Sequence, residues 1–173
     1  MNANTHIVGG VTSGLILLVA SANGDFGVEH MDFVPACGSM ALSILGSLAP
    51  DIDLRNSKVG SAAAPVSSLV NTFFGHRTIC HSPLLWGIVY MVLCHHVPMS
   101  QPYALAFVVG AISHLLLDML NKAGVPLFWP VPTRFWIGGV KLDGLGEKAI
   151  RYTLYCLSAL MVVNLSPMLL GSM

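Results

Sequence analysis

Five long apolar segments constrain the fold of this chain more than any other feature of its sequence. They cover roughly residues 6–22, 33–48, 83–98, 103–120 and 150–170. Charged residues make up only 9% of the chain, whereas about a quarter is usual in soluble domains, so we expect the segments to lie in a membrane. Several segments are shorter than the roughly 20 residues that cross a bilayer comfortably. The sequence therefore predicts an all-α integral membrane bundle of four or five transmembrane helices, formed by a single domain over residues 1–173.

Small residues in two of these segments indicate where helices approach one another closely. Gly9, Gly10 and Gly14 lie in the first segment, and Gly110, Ala111 and Ser113 lie in the fourth. Small side chains let helix backbones come together in a membrane, where packing rather than the hydrophobic effect drives association. We therefore expect the first and fourth segments to pack in the interior of the bundle.

Basic residues occur in only two of the connections between the apolar segments, including their edges. All eight Lys and Arg residues belong to this set: Arg55, Lys58 and Arg77 in one connection, and Lys122, Arg134, Lys141, Lys148 and Arg151 in the other. The positive-inside rule places both connections, and with them the N-terminus, in the cytoplasm. The prediction is a multi-pass plasma-membrane protein that has polar loops on its cytoplasmic side and lipid as a partner. Because the net charge is zero, no nucleic-acid partner is expected.

Acidic and histidine residues cluster at this same predicted face of the membrane. A buried charge is costly unless it is paired or bound to a metal, and such residues in a membrane segment usually mark a functional site. His114 and Asp118 share one helix face because residues four apart are neighbours on a helix. The predicted metal ligands are His6, Asp51, Asp53, His76, His81, His114 and Asp118.

Each of these motifs also has a purely structural explanation. The Asp-x-Asp pair could be a solvated helix end, and the His76 and His81 pair could lie at the membrane interface. His114 and Asp118 could be a hydrogen-bonded pair that holds two helices together. Cys80, beside His81, is a weaker ligand candidate. Glu147 is either a further ligand or general base, or a charge at the start of a helix.

The mixture of carboxylates and imidazoles favours a divalent metal, with Zn or Mn as the expected ion. Six or seven ligands exceed the needs of one tetrahedral ion, whereas two ions bridged by an Asp would use them. Such a pair activates water and stabilises phosphoryl oxygens. Arg77 could hold an anionic group with two parallel hydrogen bonds. Arg77 and Asp53 are accordingly the predicted catalytic residues.

Several motifs, in this order and spacing, resemble the YdjM-like proteins. The motifs are His6, Leu48-Ala49-Pro50-Asp51-Ile52-Asp53, Gly75-His76-Arg77-Thr78-Ile79-Cys80-His81-Ser82, His114-Leu115-Leu116-Leu117-Asp118, Gly124-Val125 and Trp129-Pro130. The central motif departs from the family's His-Arg-Gly and Thr-His-Ser, because Thr78 replaces the Gly and Cys80 replaces the Thr. The resemblance implies a LexA-regulated protein of the bacterial inner membrane that acts as a metal-dependent hydrolase.

Three functions are consistent with the sequence. The leading hypothesis is a metal-dependent hydrolase at the cytoplasmic leaflet that acts on a small-molecule, phosphoester or lipid-linked substrate. The second is an ion- or proton-coupled transporter that uses Asp and His as a relay within the membrane. Against this hypothesis, the polar residues of the chain lie near one predicted membrane surface, and the sequence shows no inverted repeat of the kind that transporters often have. The third is a structural or regulatory membrane protein whose metal only holds helices together.

Overall fold

The computed structural model describes residues 1–25, 31, 33–74, 78–97, 101–131 and 133–170, and its architecture is all-helical, as predicted. The described helices are α1 (Ala3–Asn23), α2 (Phe33–Leu48), α3 (Lys58–Ala62), α4 (Ala64–Phe74), α5 (Pro83–His96), α6 (Gln101–Met119) and α7 (Leu145–Leu170). Short 3-10 turns follow α2 (Ala49–Asp53) and precede α5 (Ile79–His81). Within the described ranges, extended pairing is limited to the isolated bridges Asn121–Val140 and Val125–Phe135.

Local capping interactions fix where several helices begin and end. The side chain of Asn2 accepts a hydrogen bond from the Asn4 backbone and caps α1, which satisfies one of the free N–H groups of the first turn. At the other end of α1, Gly24 adopts a left-handed conformation with φ of 71°. Ser82 caps α5, and Pro83 occupies its first turn, where the missing N–H costs nothing.

Helices α1, α2 and α6 form the centre of the bundle and approach one another at small residues. A Cβ added at Gly46 would lie 1.9 Å from the Phe107 carbonyl oxygen, and one at Gly110 would lie 2.0 Å from the Ser43 carbonyl oxygen. The backbones of α2 and α6 are therefore in direct contact. Helix α7 packs against α1, and α5 packs against α6. The expected interior position of the first and fourth apolar segments agrees with this arrangement.

The helix order brings alternate helix ends to one end of the bundle. Contacts pair the beginning of α1 with the ends of α2 and α6: Gly10 lies against Ser47, and Gly9 lies against Leu117. Helix α7 runs in the same direction as α1, since Thr5 contacts Glu147 and Thr12 contacts Ser158. The two 3-10 turns lie at this same end, next to each other. This end of the bundle therefore contains residues from five separate parts of the chain.

Two helices of the described chain, α1 and α6, are long and apolar enough to cross a membrane. Helix α5, with 14 residues, and α2, with 16, are shorter than the roughly 20 residues that span the hydrocarbon core. The expectation of four or five spans thus stays a prediction. The connection between α2 and α5 also contains the helices α3 and α4, which the sequence analysis did not anticipate. Helix α7 begins at Leu145, five residues before the predicted segment, so Glu147 lies in its first turn.

Candidate metal centre

Six of the seven predicted metal ligands lie together at the end of the bundle that contains the two 3-10 turns. His6 comes from the first turn of α1, and Asp51 and Asp53 come from the 3-10 turn after α2. His81 belongs to the turn before α5, and His114 and Asp118 belong to the last turns of α6. Asp51 has 19% of its side chain exposed, whereas the other five residues are at most 1% exposed. The seventh predicted ligand, His76, and the predicted catalytic Arg77 lie outside the described residues.

Four side-chain atoms surround a common point in this cluster. The Nε2 atom of His81 lies 3.9 Å from Asp51 Oδ1 and 3.8 Å from Asp118 Oδ2. The Nε2 atom of His114 lies 3.7 Å and 3.9 Å from the same two oxygens. Ligands held at about 2.0–2.2 Å by a tetrahedral ion are about 3.3–3.6 Å from one another. These four nitrogen–oxygen distances exceed that spacing by a few tenths of an ångström, and Asp51, His81 and His114 form one group of potential ligands whose atoms lie within 4.8 Å of one another.

The imidazole of His114 is held with one nitrogen toward this point. Its Nδ1 lies 2.7 Å from the backbone carbonyl oxygen of Ser47, and an Nδ1–H that donates to this carbonyl leaves the lone pair on Nε2. Among the described residues, His114 Nε2 has no hydrogen-bond partner. Metal-binding histidines generally use one nitrogen for the ion and the other for such an orienting hydrogen bond. The donor set and this buried Nε2 atom both fit a divalent cation.

Asp53 lies behind His81 and away from the common point. Its Oδ2 is 3.2 Å from His81 Nδ1, on the opposite side of the ring from Nε2. The backbone carbonyl of Asp53 accepts a hydrogen bond of 2.7 Å from the Asn71 side chain, which ties the turn to α4. This geometry suits a carboxylate that orients an imidazole rather than one that contacts the ion. Asp51 and Asp53 thus take different positions although they are only two residues apart.

His6 forms a second group with Asp118 and His114. Its Nε2 lies 3.3 Å from Asp118 Oδ1, and its ring stacks on that of His114 with centroids 3.6 Å apart and an interplanar angle of 13°. The amino group of Met1 lies 2.5 Å from the same Asp118 oxygen, so this carboxylate faces a cationic group. Two sets of potential ligands therefore overlap: His6, His114 and Asp118, and Asp51, His81 and His114.

Burial shifts the protonation of two groups in the turns around the cluster. It raises the pKa of the Asp51 carboxyl above its ordinary value, although positive charge on His6 and His81 acts in the opposite direction. Burial, with the Asp53 carboxylate nearby, raises the pKa of the Cys80 thiol to about 12. Cys80 belongs to neither set of potential ligands. Its carbonyl instead accepts a hydrogen bond of 2.9 Å from Trp86 Nε1, which holds the turn containing His81.

Several residues that hold the cluster were not anticipated from the sequence. Ser47 carries the carbonyl that orients His114, and Asn71 holds the Asp53 turn. Thr5 joins α1 to Glu147, which is buried and lies outside both ligand sets. Ser39, Ser43 and Ser47, spaced four residues apart on an apolar helix, were the one available signal, because they mark a polar face of α2. The contacts of Thr5 and Asn71 have no comparable sequence signature.

Comparison with known proteins places the chain in a family. The profile described as "YdjM inner membrane protein" matches residues 1–169. The chain belongs to the YdjM family. The resemblance to this family, which the motifs predicted, is thereby confirmed. Membership of the YdjM family supports a location in the inner membrane.

Individual relatives are about one third identical to the chain over the residues that align. The uncharacterized protein YvsG of Bacillus subtilis (strain 168) is 31% identical over 134 residues, which are 78% of this chain and 76% of YvsG. The inner membrane protein YdjM of Escherichia coli (strain K12) is 34% identical over 99 residues, which are 54% of this chain and 50% of that protein. YdjM of Shigella flexneri matches with the same values. No solved structure matches the chain.

Proposed function

We propose that this protein is a membrane-bound, metal-dependent hydrolase that acts at the cytoplasmic leaflet, on a phosphoester or lipid-linked substrate. The observation that carries the proposal is the buried convergence of His81, His114, Asp51 and Asp118 on one point. Buried carboxylates are costly unless they are paired or bound to a metal, and several carboxylates and imidazoles meet here. The arrangement is also stereochemically suited to Zn or Mn, which accept mixed nitrogen and oxygen ligands.

Asp118 is the residue best placed to link two ions. Its Oδ2 faces His81 and His114, whereas its Oδ1 faces His6. His114 belongs to both ligand sets, but its Nδ1 contacts Ser47, so only Nε2 is available and it can bind only one ion. A second ion would therefore be held by His6 and Asp118, whose carboxylate the Met1 amino group also contacts. The bridging Asp expected from the sequence is, on this proposal, Asp118.

A bound divalent ion would supply Lewis acidity, which lowers the pKa of a water molecule and polarises a phosphoryl or carbonyl oxygen. The side chains of the chain itself perform the remaining tasks. Asp53 holds His81 so that Nε2 faces the site, and the Ser47 carbonyl does the same for His114. Asp51, the most exposed member, marks the side from which substrate and water reach the site. The sequence further assigns Arg77 to binding of the anionic group, because its guanidinium only donates hydrogen bonds and keeps its charge.

Metal analysis of ligand variants tests this proposal. Asp51→Asn and His81→Ala should each reduce the metal that co-purifies with the protein, because Asn is a weak ligand and Ala has no donor atom. Arg77→Ala should retain the metal and lower hydrolysis by on the order of a hundredfold, as expected for loss of a group that stabilises charge in the transition state. His95→Ala is the matched control, since His95 is exposed at the other end of α5.

The assay measures metal content by elemental analysis and hydrolysis with a panel of phosphoester and lipid-linked substrates. Full metal retention in both Asp51→Asn and His81→Ala would contradict the proposal. Metal binding without hydrolysis of any panel member would instead favour a structural metal. Metal-dependent ion flux in liposomes, without hydrolysis, would favour a transporter.

A further inference from the structure

Glu147 is a buried carboxylate for which the proposed metal site has no direct use. It lies in the first turn of α7 and is 1% exposed. Its Oε1 accepts hydrogen bonds from the Asn2 backbone at 2.6 Å and from Thr5 Oγ1 at 2.8 Å. Its Oε2 accepts one from the Asp143 backbone at 2.7 Å. Both carboxylate oxygens are therefore engaged by protein donors, an arrangement that stabilises a buried charge without a metal.

These contacts form a continuous connection between the beginning of α1 and the beginning of α7. Asn2 also donates from its side chain to Asp143 Oδ1 at 2.9 Å, and it caps α1. We call Asn2, Thr5, Asp143 and Glu147 the N-terminal clasp. Through it, the first turn of α1 is attached to the loop and the helix start at the beginning of α7, more than 130 residues away in the sequence.

The clasp acts on the turn that carries His6. The first N–H groups of a helix have no partners within the helix, so a first turn readily frays. Successive helical residues are rotated by about 100° around the axis, because a turn contains 3.6 residues. Fixing the Thr5 hydroxyl on Glu147 therefore also fixes the direction of the adjacent His6. That direction places His6 Nε2 3.3 Å from Asp118 and its ring against His114.

We propose that Glu147 is a positioning residue of the metal site, which acts through Thr5 and Asn2 to hold His6 toward Asp118. This inference rests on the proposed function, because it assigns Glu147 a task in the assembly of the same site. It extends the interpretation of Glu147 as a charge at the start of a helix, since the residue lies in the first turn of α7 and both its carboxylate oxygens accept hydrogen bonds from protein donors. It also gives the connection between α6 and α7 a role, because Asp143 is the part of that connection that closes the clasp.

Binding of Co²⁺ to the metal-free, full-length protein in detergent tests the proposal. Thr5→Val removes the hydroxyl donor while keeping the shape of the side chain, and Glu147→Gln replaces one acceptor oxygen by a donor. Each should weaken Co²⁺ binding by about 10–100-fold, the usual loss when a residue that orients a metal ligand is changed. The visible absorption of bound Co²⁺ should change as well, because the position of His6 changes. Thr5→Ser, which restores the hydroxyl, should return both measurements toward those of the unmodified protein.

Thr12→Val is the matched control. The Thr12 hydroxyl also forms a hydrogen bond between α1 and α7, with Ser158 Oγ at 2.9 Å, but it lies two helical turns from Thr5, about 10 Å along the axis. Its loss should leave Co²⁺ binding unchanged. If Thr12→Val weakens binding as much as Thr5→Val, the effect is general helix packing and the proposal is wrong.

A double-mutant cycle with His6→Ala distinguishes failure of this inference from failure of the proposed function. In the His6→Ala background, Thr5→Val should cause no further loss of Co²⁺ affinity, because the residue that it positions is gone. An equal further loss of Co²⁺ affinity in this background would overturn the positioning role. The role would also be overturned if His6→Ala weakens Co²⁺ binding while Thr5→Val and Glu147→Gln both bind Co²⁺ normally. Co²⁺ binding that is absent, or unaffected by His6→Ala and His81→Ala, would reject the metal site and the clasp together. Should Glu147→Gln fail to fold, the Thr5 variants decide the question.

Discussion

A close backbone approach between α2 and α6 makes Gly110→Ala an informative perturbation of the site. The added methyl carbon would lie 2.0 Å from the Ser43 carbonyl oxygen and 2.8 Å from the Ser43 carbonyl carbon. Both atoms belong to backbone, so no rotamer change can relieve the overlap. Carbon–oxygen contacts in proteins begin at about 3.3 Å, so the two helices must separate locally by about 1.3 Å.

This separation would reach the metal site, because His114 lies one turn after Gly110 and binds the carbonyl of Ser47, one turn after Ser43. The bond between His114 Nδ1 and the Ser47 carbonyl is 2.7 Å long. Moving the helices apart by about 1.3 Å would stretch it to about 4 Å, beyond the range of a hydrogen bond. Overpacking costs about 1–3 kcal/mol, and the lost hydrogen bond adds about 1 kcal/mol. We therefore expect Gly110→Ala to lower the free energy of unfolding by about 2–4 kcal/mol and metal affinity by about 10–100-fold.

Unfolding in mixed detergent, followed by circular dichroism, measures the first effect, and Co²⁺ titration measures the second. Gly87→Ala on α5 is the matched control, because an added Cβ there would have no neighbouring atom within 4 Å. Alanine is the better helix former by about 1 kcal/mol, so this control should leave stability unchanged or slightly raised, with normal Co²⁺ binding. A Gly110→Ala protein that unfolds and binds Co²⁺ like the unmodified protein would refute the argument that this backbone contact sets the geometry of the site.

Two further predictions concern topology and metal removal. In a variant whose native cysteines are replaced, Asn56→Cys should react with a membrane-impermeant maleimide only after the cells are opened. The reason is that the connection that contains Arg55 is predicted to be cytoplasmic. Labelling in intact cells would contradict this predicted orientation. Chelation should lower the unfolding temperature of the unmodified protein, since a ligand present at 100 times its Kd stabilises the folded state by about 2.7 kcal/mol. Asp118→Asn should lack this chelator response, and an undiminished response would exclude Asp118 as a ligand.

The sequence predicted the helical architecture well because its signals are local. Apolar segments bounded by Pro, Gly and polar residues are visible without knowledge of any contact, and α2 has the same limits as its predicted segment, Phe33–Leu48. Local signals do not predict the number of membrane-spanning helices, because that number depends on how the bilayer and the neighbouring helices accommodate helices of 14 and 16 residues. Helices α3 and α4 escaped notice because they have only 5 and 11 residues, too few to be recognised as membrane segments.

The clustering of the site residues was also predictable, through the alternation of segments. A chain that crosses back and forth brings the start of one helix near the end of the next, so His6, Asp51, His81 and Asp118 were expected at one end. The sequence left open whether Asp51 and Asp53 point to the same side or divide between a metal and a histidine. Both carboxylates have the same chemistry, and only the turn geometry directs one to His81 Nδ1 and the other to the common point.

The sequence by itself thus determined the class of fold, the family and the residue types that meet at one end of the bundle. Tertiary structure alone decided which atoms face one another: Ser47 behind His114, Asn71 on the Asp53 turn, and Glu147 on the first turn of α1. The physical reason is that hydropathy and helix capping act over a few residues, whereas these contacts join residues between 18 and 142 positions apart. Their geometry follows from how closely Gly46 and Gly110 allow α2 and α6 to pack, which no local pattern records.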